Sequence, residues 1–121
     1  MADILLVDDE ELMRDAICEI LSDMEHVCDP CSSGTEALEK LASGKSYDLV
    51  ITDVVMPDVD GRELVRRILN NPVNHDLPVI VMSGQVSVTD VADVLALGDV
   101  QFLGKPIRML ALQQAVRNAL S

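Results

Sequence analysis

Residues 4–10 read Ile-Leu-Leu-Val-Asp-Asp-Glu, four consecutive apolar residues that run directly into three carboxylates. The apolar run is too short for a typical helix and has the composition of a strand buried on both faces. A helical pattern over residues 10–24 follows at once. The stretch therefore predicts a strand that carries acidic side chains to its carboxyl end and a helix that packs against it. The apolar positions of that helix are Leu12, Ala16, Ile17, Ile20 and Leu21.

The same unit of apolar run and helical pattern recurs along the whole chain. Strands are predicted over residues 4–7, 27–31, 49–52, 79–82 and 100–103, and helices over residues 10–24, 35–42, 62–69, 88–97 and 107–120. Strict alternation of this kind predicts an α/β fold with a parallel sheet covered on both faces. Pro30 has no N–H for a central ladder, so the second strand is predicted at a sheet edge.

Length and composition exclude several classes of protein. With 49% hydrophobic residues, the 121-residue chain fills one core, and we predict a single domain over residues 1–121 with no output domain. The net charge of −12 and an aromatic content of 2% argue against nucleic-acid binding. No apolar run approaches the length of a membrane span, and no basic flank marks a signal peptide. We therefore expect a cytoplasmic protein with no membrane partner.

The three cysteines are Cys18, Cys28 and Cys31. An odd number without a secretion signal predicts free thiols in a reducing compartment. The C-x-x-C spacing of Cys28 and Cys31 is compatible with a dithiol redox site. A redox motif usually opens a helix directly, whereas Ser32 and two further residues intervene here, so two buried apolar side chains are the favoured interpretation.

Polar side chains follow four of the predicted strands: Asp8 and Asp9, then Asp53, Ser83 and Lys105. In such sheets the ligand site lies beyond the carboxyl ends of the strands. Crowded carboxylates need positive charge, which Lys105 and a hard divalent cation such as Mg²⁺ supply. An aspartate in that setting can accept a phosphoryl group, with the Ser83 hydroxyl donating to a phosphoryl oxygen. A single acid at a strand end is more often a helix cap, but the combination predicts a phosphate site.

On these residues the chain resembles the response-regulator receiver domains of two-component signalling. The resemblance covers residues 3–120. Its markers are Leu-Val-Asp-Asp-Glu at 6–10, Asp-Val-Val-Met-Pro-Asp-Val-Asp-Gly at 53–61, Ser83-Gly84 and Lys105-Pro106. It implies a doubly wound, flavodoxin-like (βα)5 fold with strand order 2-1-3-4-5.

The resemblance also implies a role for each acidic residue. Asp53 would be the phosphoacceptor, taking phosphate from a sensor histidine kinase or a phosphotransfer protein. Asp9 and Asp53 would ligate Mg²⁺ through their side chains, and the backbone carbonyl of Val55 would be a third ligand. Asp8 would act mainly through a bound water. Because Val55 is apolar and cannot orient an attacking water, we expect the phosphate to hydrolyse more slowly than in a Val55→Asn variant.

Further implied roles concern the other strand ends. Lys105 would pair with the phosphoryl group, and the peptide bond between Lys105 and Pro106 would be cis. Gly84 would leave the phosphate pocket unobstructed. Ser83 and Phe102 would form the switch, with Phe102 turning inward as Ser83 moves onto the phosphate. Since Phe102 has no hydroxyl where tyrosine is frequent in the family, it would report the switch by packing alone.

The family reads its phosphate on the face made by the fourth predicted helix, the fifth strand and the last helix. Val88, Val91 and Leu110 are candidate exposed apolar residues on that face, either as a patch for a downstream protein or output domain or as scattered residues of no consequence. The oligomeric state implied is a monomer or a phosphorylation-linked dimer. Met13 and Met109 are expected in the core.

Two other functions remain as alternatives. A phosphatase of the haloacid-dehalogenase type also uses a nucleophilic aspartate and Mg²⁺. Such phosphatases carry a D-x-D motif after a strand, whereas Val54 and Val55 follow Asp53 here, so the second acid is missing. We therefore expect no enzymatic activity beyond self-phosphorylation and dephosphorylation. The other alternative is a phosphate-independent interaction domain with the same fold. Such domains lose the acidic pair or the lysine, and this chain keeps both.

Overall fold

The structure, a computed structural model, describes residues 1–54, 56, 58–71, 74, 76–84, 96 and 98–121. Its strands are β1 (Asp3–Val7), β2 (Val27–Cys31), β3 (Leu49–Asp53), β4 (Val79–Ser83) and β5 (Val100–Gly104). The helices within the described residues are α1 (Glu11–Asp23), α2 (Gly34–Ala42), α3 (Gly61–Asn70) and α4 (Met109–Leu120). Of the helix predicted over residues 88–97, only Ala96 is described, and Val88 and Val91 lie outside the described residues.

The five strands form one parallel sheet in the order β2-β1-β3-β4-β5. The predicted strands, their parallel pairing and the order implied by the resemblance are all confirmed. Pro30 lies on β2 at the edge of the sheet, where its missing N–H leaves no ladder partner unsatisfied. Since all strands run the same way, their carboxyl ends meet at one end of the sheet, and that end carries Asp8 and Asp53.

Helices cover both faces of the sheet, and the alternation of β1 sorts its side chains between them. Leu5 and Val7 belong to the core cluster that includes α2 and α3, whereas Ile4 and Leu6 belong to the cluster that includes α1 and α4. All four side chains are fully buried. The continuous apolar strands are thus explained by burial on two faces at once, as predicted.

The prediction of which helical residues are buried was wrong at three positions. Leu12 is 85% exposed and Ala16 is also exposed, because the buried face of α1 is centred on Ile17 and Leu21. At about 100° per residue, Leu12 lies about 140° around the helix from Ile17. Met109 is 55% exposed, since it is the first residue of α4 and precedes the buried turn at Leu112. Met13, by contrast, packs against the core as expected.

The prediction of three free thiols was also wrong. Cys18 on α1 and Cys28 on β2 form a disulfide, with their Cα atoms 5.5 Å apart, which is within the span of such a bridge. Helix α1 packs directly over the edge strand, and this contact brings the two sulfurs together across ten residues of sequence. Cys31 is free and buried, so the C-x-x-C pair is not joined, and burial raises the pKa of the Cys31 thiol to about 12.

Candidate functional site

Hydrogen bonds of the sheet continue past the strand ends and position the polar residues that follow. The backbone N–H of Asp8 donates to the carbonyl of Cys31 at 3.1 Å, and that of Lys105 donates to the carbonyl of Ser83 at 2.8 Å. Both residues are therefore held in register with the neighbouring strand. The sheet itself, rather than a loop, sets the spacing between these side chains.

Three carboxylates gather at this edge. Oxygens of Asp8, Glu10 and Asp53 all lie within 4.8 Å of one another. Asp8 and Asp53 are buried, whereas Glu10 is exposed. The backbone N–H of Glu10 donates to Oδ1 of Asp8 at 2.9 Å, which turns the chain back across the end of β1 into α1.

Lys105 supplies positive charge to all three acids. Its Nζ atom donates to Oδ2 of Asp53 at 2.8 Å and lies 3.8 Å from both Oδ2 of Asp8 and Oε1 of Glu10. Burial by itself would lower the pKa of Lys105, but the hydrogen bond to Asp53 and the neighbouring carboxylates raise that pKa above its ordinary value. The ammonium is thereby held in its charged form beside Asp53.

Asp8 is the carboxylate of the group whose charged form is disfavoured by burial. Burial raises the pKa of Asp8 above its ordinary value, more than the hydrogen bond from Glu10 and the charge of Lys105 lower it. Within the described part of the chain, Oδ2 of Asp8 is buried and accepts no hydrogen bond. Such an oxygen is costly in the folded state unless a further cation or donor approaches it.

This donor set fits a divalent cation. Carboxylate oxygens are the ligands that hard cations such as Mg²⁺ take. Oδ2 of Asp8, buried and 3.8 Å from Nζ of Lys105, accepts no hydrogen bond within the described residues and is available to such a cation. The residues involved differ from the expectation in one respect. The structure groups Glu10 with Asp8 and Asp53, whereas Asp9 is exposed and is not in the group. The predicted carbonyl ligand, Val55, lies outside the described residues.

The remaining predicted residues lie at the ends of β4 and β5. Ser83 is buried at the last position of β4, one residue beyond the pairing of Asp53 with Met82. Gly84 follows, and a Cβ added there would lie 3.5 Å from Cβ of Lys105, an ordinary contact distance. Phe102 is half-buried on β5 and packs against the core cluster beneath α2 and α3.

The peptide bond between Lys105 and Pro106 is cis. It follows directly after β5, at the point where the chain leaves the sheet and turns toward α4. The Lys105 side chain that precedes it is directed at the carboxylate group described above.

Two residues of the site were not assigned to it from the sequence. Glu10 joins the carboxylates, and Arg14 donates from Nη1 to the backbone carbonyl of Asp8 at 2.7 Å. The backbone N–H of Arg14 donates to the carbonyl of Glu10, so the two lie one helical turn apart. The sequence pattern that could have indicated them is the third consecutive acid after the first strand and a basic residue four positions later. Residues four positions apart lie on the same face of a helix.

The family model for the response regulator receiver domain matches residues 4–117. The chain belongs to the response-regulator receiver domain family. Its topology and the position of its acidic edge agree with that assignment, and solved structures of the family superimpose closely on it. This receiver domain aligns with the chemotaxis protein CheY4 of Vibrio cholerae with a TM-score of 0.91 and 28% identity, covering 99% of each chain.

Curated relatives include both short and long proteins. The receiver domain is 32% identical over 105 residues to the two-component response regulator ORR3 of Oryza sativa subsp. indica, covering 87% of the chain and 80% of ORR3. It is 34% identical over 119 residues to the 3',5'-cyclic-nucleotide phosphodiesterase regA of Dictyostelium discoideum, covering 97% of the chain. The chain corresponds to only 15% of the length of regA.

Receiver domains are signalling domains, which agrees with the class of function expected from the sequence. Among the helices of the described residues, none has the length and apolar character needed to cross a membrane.

Proposed function

We propose that this receiver domain is a phosphorylation switch in which Asp53 accepts a phosphoryl group from a sensor histidine kinase or a phosphotransfer protein. The observation that carries the proposal is the setting of Asp53. Its carboxylate is buried at a strand end, one oxygen lies 2.8 Å from Nζ of Lys105, and two further acids lie within 4.8 Å. Such a carboxylate is a fixed nucleophile with a cation beside the position that a phosphoryl group would take.

The transfer forms a bond between an Asp53 carboxylate oxygen and phosphorus as the bond from phosphorus to the donor histidine nitrogen breaks. The leaving imidazole nitrogen keeps that electron pair. Lys105 remains charged in this environment and stabilises negative charge on the transferring phosphoryl oxygens. Ser83, buried at the end of β4, donates its hydroxyl to one of those oxygens once the phosphate is present.

The proposed cation is Mg²⁺. Asp9 and Asp53 are the proposed side-chain ligands, the carbonyl of Val55 is a third, and Asp8 acts through a water. Glu10 enters the proposal because its carboxylate lies with those of Asp8 and Asp53. When bound, the cation supplies positive charge for the carboxylates and the phosphoryl oxygens.

The output proposed is a change of protein partner. Ser83 and Phe102 are the switch residues, and the face around β5 and the last helix, α4, is the surface that a downstream protein or output domain recognises. Phe102 supports this role because it is only half-buried and rests against the core. Leu110 adds an apolar side chain, 75% exposed, at the start of α4. The domain is proposed to act in the cytoplasm, as a monomer or as a dimer formed on phosphorylation.

The test is intact mass after incubation with acetyl phosphate and Mg²⁺. We expect the wild type to gain the mass of one phosphoryl group, and we expect no gain with a chelator or in an Asp53→Asn variant. Asp23→Asn is the matched control, because it removes an exposed carboxylate at the far end of α1 and should leave the gain intact. A folded wild type that gains no mass under these conditions would overturn the proposal in favour of a phosphate-independent interaction domain.

A further inference from the structure

The segment that joins β3 to α3 begins directly after the phosphoacceptor and makes a long-range contact through Asp58. Oδ1 of Asp58 accepts from the backbone N–H of Gly34 at 3.2 Å, and Oδ2 accepts from that of Thr35 at 2.9 Å. These donors are the first two residues of α2, more than twenty positions earlier in the chain. The Asp58 carboxylate thus accepts hydrogen bonds from two adjacent N–H groups of a helix that is distant from it in sequence.

Helix α2 already has a cap of its own. Oγ of Ser33 accepts from the backbone N–H of Glu36 at 3.1 Å, and the carbonyl of Ser33 accepts from Ala37. Ser33 therefore accepts from the backbone N–H groups of Glu36 and Ala37, and Asp58 accepts from those of Gly34 and Thr35. Two different side chains share one helix start, and of the two it is Asp58 that connects it to the segment beside Asp53.

Close contacts hold the segment on either side of Asp58. A Cβ added at Gly34 would lie 2.6 Å from Cβ of Val59, so α2 and the segment meet with no space for a side chain. At the other end, the backbone N–H of Gly61 donates to the carbonyl of Val54 at 2.8 Å. Among the described residues of the segment, Val54 is consequently bonded to the first residue of α3, and Asp58 and Val59 lie against the start of α2.

We propose that Asp58 is a positioning residue for phosphoryl transfer, which sets the backbone of the segment after Asp53 by fastening it to the start of α2. This inference rests on the proposed phosphorylation of Asp53 and assigns a further residue to it. Hydrogen bonds from the side chain and backbone of Thr35, with others from the backbone, also hold the pKa of Asp58 well below its ordinary value. Asp58 is exposed and touches no reacting atom, so its effect passes through the segment.

The experiment compares Asp58→Ala, Asp58→Asn and Ser33→Ala with the wild type in acetyl phosphate titrations at saturating Mg²⁺, with intact mass as the readout. We expect the maximal rate of phosphorylation to fall by roughly 10- to 100-fold in Asp58→Ala, since a misplacement of about 1 Å can cost on the order of 100-fold in rate. Asp58→Asn keeps an oxygen for one of the two N–H groups and should recover most of that rate. Ser33→Ala removes the other cap of α2 and should leave the rate unchanged.

Each outcome bears on the inference. Equal rates in Asp58→Ala and the wild type, or equal losses in Asp58→Ala and Ser33→Ala, would overturn it, because the second result indicates only a weakened helix. If Asp58→Ala does not fold, Asp58→Ser, whose side chain is too short to reach both N–H groups, takes its place. A rate in Asp58→Ser equal to that of the wild type overturns the inference, and a rate lower than those of both the wild type and Ser33→Ala supports it. A wild type that is never phosphorylated contradicts the proposed function itself, so the two failures are distinguishable.

Discussion

Nζ of Lys105 lies 2.8 Å from Oδ2 of Asp53, which joins the residue after β5 to the last residue of β3 across the intervening strand. The exposed fraction of the two side chains is 17% and 7%, so the pair is largely shielded from water. A shielded ion pair loses more when one member is removed than an exposed pair does. Lys105 is therefore both a functional candidate and an electrostatic support of the fold.

Replacing Lys105 with methionine should lower the free energy of unfolding by about 1–3 kcal/mol without divalent cations, because the three carboxylates keep their mutual repulsion. Added Mg²⁺ should recover part of that loss. Urea unfolding with and without Mg²⁺ measures both effects. Lys45→Met is the control, since Lys45 pairs with Asp29 at 3.4 Å while 47% exposed, and its loss should cost under about 1 kcal/mol. Equal losses in both variants would contradict the prediction.

Asp8→Asn should stabilise the protein in the absence of divalent cations, by roughly 1 kcal/mol at neutral pH. Because burial raises the pKa of Asp8 in the folded state, the folded state binds its proton more tightly than the unfolded state does. The wild type therefore loses stability as pH rises through that raised pKa, and the variant does not. Below the unfolded value of 3.8, Asp8 is neutral in both states and the difference should vanish.

Unfolding curves between pH 3 and pH 8 (roughly the range over which carboxyl groups titrate) measure this difference. Asp9→Asn is the matched control, because Asp9 is exposed and its neighbour in sequence. A stability gain that persists unchanged at low pH, or one that appears equally in Asp9→Asn, would argue against the electrostatic explanation.

Reducing the disulfide between Cys18 and Cys28 should lower the free energy of unfolding by about 2–3 kcal/mol, the scale for a loop of this length. Cys18→Ser should show the same loss and should no longer respond to reductant. Cys31→Ser serves as the control, since Cys31 is not in the disulfide. Mass spectrometry after alkylation counts the free thiols, and three alkylated cysteines in unreduced protein would show that the bridge does not form. Disulfides are rare in reducing compartments, so alkylation in intact cells is the informative version.

Gly61→Ala should destabilise the fold by about 1–3 kcal/mol, the range for overpacking. A Cβ at Gly61 would collide with the carbonyl oxygen of Asp53 and would lie 2.7 Å from Cα of Val54. Both contacts are backbone atoms that no side-chain rotation can move. Gly104→Ala is the control, because nothing lies within 4 Å of the corresponding position. Thermal unfolding of the two variants measures the contrast, which disappears if the β3–α3 segment adjusts freely.

Alternation of apolar runs and helical patterns was sufficient to predict every strand of the sheet. The reason is that burial on both faces leaves little freedom in composition, as in Leu49–Asp53, where all five residues are buried. Parallel pairing then requires that the strand ends meet, which brought Asp8, Asp53 and Lys105 together before any distance was known. The boundaries of the four helices that lie within the described residues were correct to within two residues.

Side-chain orientation on the helices was less predictable. Leu12 lies four positions before Ala16, a spacing that fits an apolar helix face. The direction of the buried face, however, depends on how α1 packs against the sheet. The choice of Glu10 over Asp9 for the carboxylate group has a different origin, because both residues precede the first helical residue, Glu11. Glu10 has an extended backbone, so the path of the short turn between β1 and α1 decides which carboxylate lies with those of Asp8 and Asp53.

The sequence by itself determined the order of the described elements, a parallel sheet covered on both faces and the acidic edge with its lysine, because these follow from periodicity and from the chemistry of the strand ends. The strand order was implied by the resemblance to receiver domains. Only the tertiary structure decided the bridge between Cys18 and Cys28 and the link from Asp58 to α2. Both join residues whose separation in space depends on the angle and height at which a helix packs on the sheet. That geometry is set by the sum of many side-chain contacts, so no local pattern in the sequence encodes it.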